Sequence, residues 1–104
     1  MLSPLDDKGF DITKNIKTIE ILKSRLLSEV AFLHESMLKS HADLEERLDV
    51  ISEIILLSYL LSEKLGISYK EIDGKIIEKL RVAMLQENNQ FSNLSSLKDH
   101  INRN

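Results

Sequence analysis

No cysteine occurs anywhere in these 104 residues. That excludes a disulfide framework, a thiol nucleophile and any zinc site built on thiolates. Only one proline and three glycines are present, so little in the chain interrupts long helices. Histidine is scarce and scattered: His34, His41 and His100 form no His-x-x-x-His pair, and no zinc site is read from them. No Gly-x-Ser-x-Gly elbow is present, which removes the serine-hydrolase signature. The longest apolar runs flank Ser58 in "IILLSYLL", far short of the roughly 20 residues that span a bilayer. The opening "MLSPLDDKGF" lacks a basic stretch followed by an apolar core, so a cytoplasmic protein without a membrane segment is expected. Excess positive charge is missing as well. The formal net charge is −3, which argues against nucleic acid as the main partner.

What is present is the composition of a globular protein, 42% hydrophobic and 30% charged. A chain of this length is expected to form a single domain, 1–104. It should bury roughly 60–70% of its unfolded surface and gain from a partner subunit. Residues 1–11 read as an arm. From about Thr13 to about Ser40, Ile16, Ile19, Leu22, Leu26, Val30, Leu33 and Met37 step by three and four, the helical period. "KSHAD" carries a turn, a cap near Ala42-Asp43 starts a second helix, and that helix stops at Gly66 after Lys64. Ser68, with Glu71 three residues on, opens a third helix in a capping-box pattern. It runs to about Gln86 across Gly74 and frays at "ENNQ". The tail, 92–104, holds at most one short helix. No strand pattern or internal repeat competes. The fold class is all-α, a helical bundle of three main helices and a short C-terminal one.

The second helix is apolar on two sides. Leu44, Leu48, Ile51 and Ile55 mark one face, while Leu56 and Leu60 lie on nearly the opposite one. A helix apolar on both sides must be covered on both. A homo-oligomer is therefore expected, a two-fold dimer first, with the Leu56/Leu60 face between subunits. Cover by the arm and tail is the alternative.

Glu29 interrupts the apolar stripe of the first helix, at its edge, where another helix would pack. On the second helix Glu46, Asp49 and Glu53 share one stripe. Like charges at that spacing repel unless solvated or neutralised. A solvated acidic face beside Arg47 and Lys64 accounts for them. A hard cation such as Mg²⁺ or Mn²⁺, which takes carboxylate oxygens, would also account for them.

Two stretches, "LLSEVAFLHES" (26–36) and "LDVISEIILLSYLLSEKLGIS" (48–68), carry a resemblance to the MazG-like branch of the all-α nucleoside triphosphate pyrophosphohydrolases, over about residues 12–82. The resemblance implies a helical bundle that forms dimers or tetramers. It also implies Mg²⁺-dependent hydrolysis of a nucleoside triphosphate to the monophosphate and pyrophosphate. It implies acidic ligands in a Glu-Glu-x-x-Glu pattern on one helix and Glu-x-x-Asp on the next. Aligned on "LGIS", those positions fall on Ser28, Glu29 and Phe32, then on Val50 and Glu53. "ERLD" (46–49) matches Glu-x-x-Asp literally, one turn early. The resemblance leaves Glu29 and Glu53 to a metal, and Asp49, one residue from Val50, is the third candidate ligand; Glu29 would act as ligand or base and Glu53 is the other catalytic position. Arg25 is the nearest residue to meet phosphates; its alternative is a salt bridge to Glu29. With Val50 and Phe32 in ligand positions, the expected Mg²⁺ (or Mn²⁺) affinity is weak or nil. Two readings stand: a pyrophosphohydrolase with weakened or lost catalysis, and a non-catalytic module of the same fold that binds nucleotide or partner helices. "SEKLGISYKEIDGKIIEKL" also resembles a helix-turn-helix, but its helix would open on Tyr69, Lys70, Glu71 and Asp73, too acidic to sit easily on phosphates.

Overall fold

The computed structural model describes residues 12–39, 43–86 and 94–103. They form four helices: α1 Ile12–Met37, α2 Leu44–Lys64, α3 Tyr69–Leu85 and α4 Leu94–Asn102. No strand occurs among the described residues, and the all-α class with three main helices and a short fourth is what the periodicity predicts. The arm 1–11, the turn residues 40–42 and the "ENNQ" stretch lie outside the described residues. No described helix is long and apolar enough to cross a membrane. The chain divides into two compact units, one ending at Gly66 and the other beginning at Ile67.

The first unit is a helical hairpin. α1 stops three residues before the expected Ser40. Its last turn tightens: Leu38 N–H donates to Glu35 O at 3.2 Å and Lys39 N–H to Ser36 O at 3.3 Å. Such three-residue bonds satisfy carbonyls that a helix end leaves open. Asp43 then caps α2, its carboxylate accepting from Glu45 N–H at 3.2 Å. At the far end Gly66 takes φ of 84°, the left-handed conformation that ends helices. Two bonds mark the register of the helices. Asn15 Nδ2 donates to Lys64 O at 2.8 Å, and Arg25 Nη2 donates to Glu53 Oε2 at 2.6 Å. Numbering rises along α1 as it falls along α2, so the helices run antiparallel.

Leu22, Val50 and Leu57 are buried in the seam, with Leu26, Leu33, Ile54 and Leu61 half-buried around them. Ser36 and Ser62 are buried too. Each donates its hydroxyl to a carbonyl three residues back, Leu33 O at 2.9 Å and Tyr59 O at 2.7 Å. This is the local way a hydroxyl avoids being stranded in a helix interior.

The seam does not follow the centre of the α1 apolar stripe. Asn15, Thr18, Leu22, Leu26, Glu29, Leu33 and Ser36 are buried or half-buried, whereas Ile16, Val30 and Met37 are exposed. At about 100° per residue, that moves the contact about 50° from the stripe's middle and draws Glu29 inward. α2 shows the same offset. Val50, Ile54, Leu57 and Leu61 form its buried line, while Leu44, Leu48, Ile51 and Ile55 are exposed. The barest face of α2 is therefore the Leu44–Ile55 stripe. Leu60 is half-buried, although Leu56 is exposed.

In the second unit the capping box forms as its residues predict. Glu71 N–H donates to Ser68 Oγ at 3.1 Å and Ser68 N–H to Glu71 Oε2 at 2.8 Å. α3 buries Ile77 and Leu80 and packs with α4. The half-buried face of α4 is Leu94, Lys98 and Ile101, at the i, i+4, i+7 spacing of an amphipathic helix.

Candidate functional site

Seen from one end, antiparallel helices turn in opposite senses, so equal angular offsets from the seam fall on the same side of the hairpin. Arg25 lies about 60° to one side of Leu22, and Glu53 the same angle to one side of Val50. The two side chains meet, Arg25 Nη2 to Glu53 Oε2 at 2.6 Å. Asp49 and Phe32 fall on this side as well. The opposite side carries the exposed apolar residues Leu27, Val30 and Met37 of α1 and Leu44, Leu48, Ile51 and Ile55 of α2. The hairpin thus carries the Arg25–Glu53 pair and Asp49 on one edge, beside exposed Ile21, Phe32 and Leu56, and a larger exposed apolar stripe on the other face.

Each residue singled out by the sequence has a definite place. Glu53 is half-buried at the charged edge and is held by Arg25. Arg25 does not pair with Glu29, one turn on in its own helix. Its partner is on α2, because Arg25 sits at the edge of the seam while Glu29 sits near its middle. Glu29 is half-buried, and by the register of the two cross-helix bonds it falls level with Asp49 and Val50. Among the described residues the Glu29 side chain has no ion pair. Asp49 is exposed. Val50, in a position that the resemblance gives to a ligand, is 2% exposed and belongs to the packed seam. Phe32, in another such position, is 45% exposed.

Mg²⁺ asks for six oxygens in a near-ideal octahedron. Among the described residues no three of His, Cys, Asp and Glu come together in a group able to hold a metal ion. One oxygen of Glu53 is committed to Arg25, and Val50 and Phe32 offer no donor. By itself this donor set does not fit a resident Mg²⁺. What it does chemically is simpler: a guanidinium balances a carboxylate across two helices, with further acidic groups beside it.

The partner of Arg25 is the feature that sequence reasoning missed. A signal for it exists. Arg25 stands three residues after Leu22 and Glu53 four before Leu57, a matched step along antiparallel helices that becomes readable once Leu22 and Leu57 are known to lie level.

The described residues define an all-α class built on an antiparallel helical hairpin. The MazG-like family model matches residues 12–97, and the chain belongs to the MazG-like family. No curated protein and no solved structure matches it.

Proposed function

We propose that this chain has kept the MazG-like hairpin and lost efficient Mg²⁺-dependent pyrophosphohydrolysis, and that it works through its helix faces, pairing first with a second copy of itself. The Arg25–Glu53 ion pair carries the reading: a positive side chain stands against the carboxylate that catalysis would need for a metal. Val50 in the seam and Phe32 on the edge add to it. Self-pairing is supported by the exposed Leu44, Leu48, Ile51 and Ile55 stripe, an apolar face outside the buried seam that a further helical layer would cover. A panel of nucleoside triphosphates with Mg²⁺ or Mn²⁺ tests the first part. Pyrophosphate release should equal that of protein-free controls, with or without chelator.

One observation favours a second reading, a pyrophosphohydrolase whose metal arrives with the nucleotide. The Arg25 and Glu53 side chains are 57% and 29% exposed, and an ion pair so near solvent is worth only about 0–1 kcal/mol. It could open. Phosphate oxygens would then complete a site with Glu29, Asp49 and Glu53, and Arg25 would be free to meet the phosphates. Chelator-sensitive release that disappears in both Glu29→Gln and Glu53→Gln would favour this reading over the first.

A further inference from the structure

The mismatch between the hairpin and a resident metal has a counterpart in Arg25. Along the charged edge of α2, Glu46 and Glu53 are half-buried and Asp49 is exposed. They recur at three- and four-residue spacing, where like charges repel. Glu29 adds a fourth carboxylate from α1, at the seam. Against these, Arg25 reaches across from α1 in charge-assisted contact with Glu53 at 2.6 Å. Arg47, the basic residue within the acidic run, is exposed. It lies about 60° to the other side of Val50, on the apolar side of the hairpin.

We infer that Arg25 is the built-in counter-ion of this edge. Its guanidinium supplies the positive charge that a divalent ion would otherwise bring, so the α1–α2 pairing holds without metal. A guanidinium suits the task because it stays charged at every physiological pH and presents several donors in a fixed plane. It is also tethered, so neutralisation does not depend on the free metal concentration. Two consequences follow. Chelators and divalent ions leave the stability of the native protein unchanged. Arg25 is a positioning residue: it holds Glu53 in the register that the buried seam of Leu22, Val50 and Leu57 sets.

This inference uses the same ion pair as the functional reading but concerns stability rather than turnover. Melting tests one and pyrophosphate release the other, so either can fail alone. Thermal unfolding is followed for the full chain, Arg25→Gln, Arg25→Lys and Glu53→Gln, each in chelator and in millimolar Mg²⁺ or Mn²⁺. The native chain should melt at one temperature in all three conditions. In chelator, Arg25→Gln should melt lower by about 2–5 °C, and Arg25→Lys should recover part of the loss. High salt should shrink the difference, because screening weakens a solvent-accessible ion pair, whereas a loss of packing alone would persist. A native melting point that rises with Mn²⁺ and loses that response in Glu53→Gln would overturn the inference. So would an Arg25→Gln variant that melts with the native chain at low salt.

Discussion

Gly66 and Gly74 should respond in opposite directions to the same substitution. A Cβ at Gly74 would meet nothing within 4 Å, and the residue lies inside α3. Gly74→Ala should therefore stabilise by up to about 1 kcal/mol. Gly66 also has open space, but its φ of 84° disfavours a side chain, so Gly66→Ala should destabilise by about 1 kcal/mol. Denaturant titration of both variants checks the pair of signs. Glu29 is the other informative residue. It is a half-buried carboxylate, and Arg25 is engaged elsewhere. Glu29→Gln should leave stability unchanged or raise it by about 0.5 kcal/mol; a clear drop in melting temperature would reveal a partner. Glu29 was readable as a seam residue from its place in "LLSEVAFL". The partner of Arg25 was not, because the seven apolar residues of the α1 stripe spread over about 120° of the helix and leave open which half faces the neighbouring helix.

Among the elements, α3 has the most explicit start signal. Ser68 and Glu71 satisfy each other's backbone N–H groups, and the pattern Ser-x-x-Glu states this in the sequence. Ser68→Ala should cost about 1 kcal/mol and speed amide exchange in the first turn of α3. Exchange unchanged there would show that packing rather than the cap holds the turn. The caps at Asp43 and Gly66 were legible for the same reason, since each is a local rule. The end of α1 was less so, because Leu38 extends the apolar pattern past the point where the last turn tightens. The orientation of α2 was least legible. Its mean pattern is apolar on two sides, and only contact with α1 decides that Val50 and Leu57 turn inward while Leu48 and Ile51 turn out.

For the whole molecule, the exposed face of the hairpin predicts self-association. Leu48 is exposed, so Leu48→Glu should leave the helical content intact yet dissociate the assembly, because a charge in an apolar contact is left without a partner. Light scattering coupled to size exclusion checks this; a native monomer at high micromolar concentration would contradict it. The family and the all-α class could be read from helical spacing and the "LGIS" stretch. Whether the acidic positions are open to a metal could not, since that depends on which carboxylate the Arg25 guanidinium takes. Whether the Arg25–Glu53 pair has displaced catalysis is tested by steady-state pyrophosphate release from saturating Mg²⁺-nucleoside triphosphates, measured for the native chain and Glu53→Gln side by side. The ion-pair account predicts that both stay at the protein-free rate. Metal-dependent release by the native chain, abolished in Glu53→Gln, would contradict it.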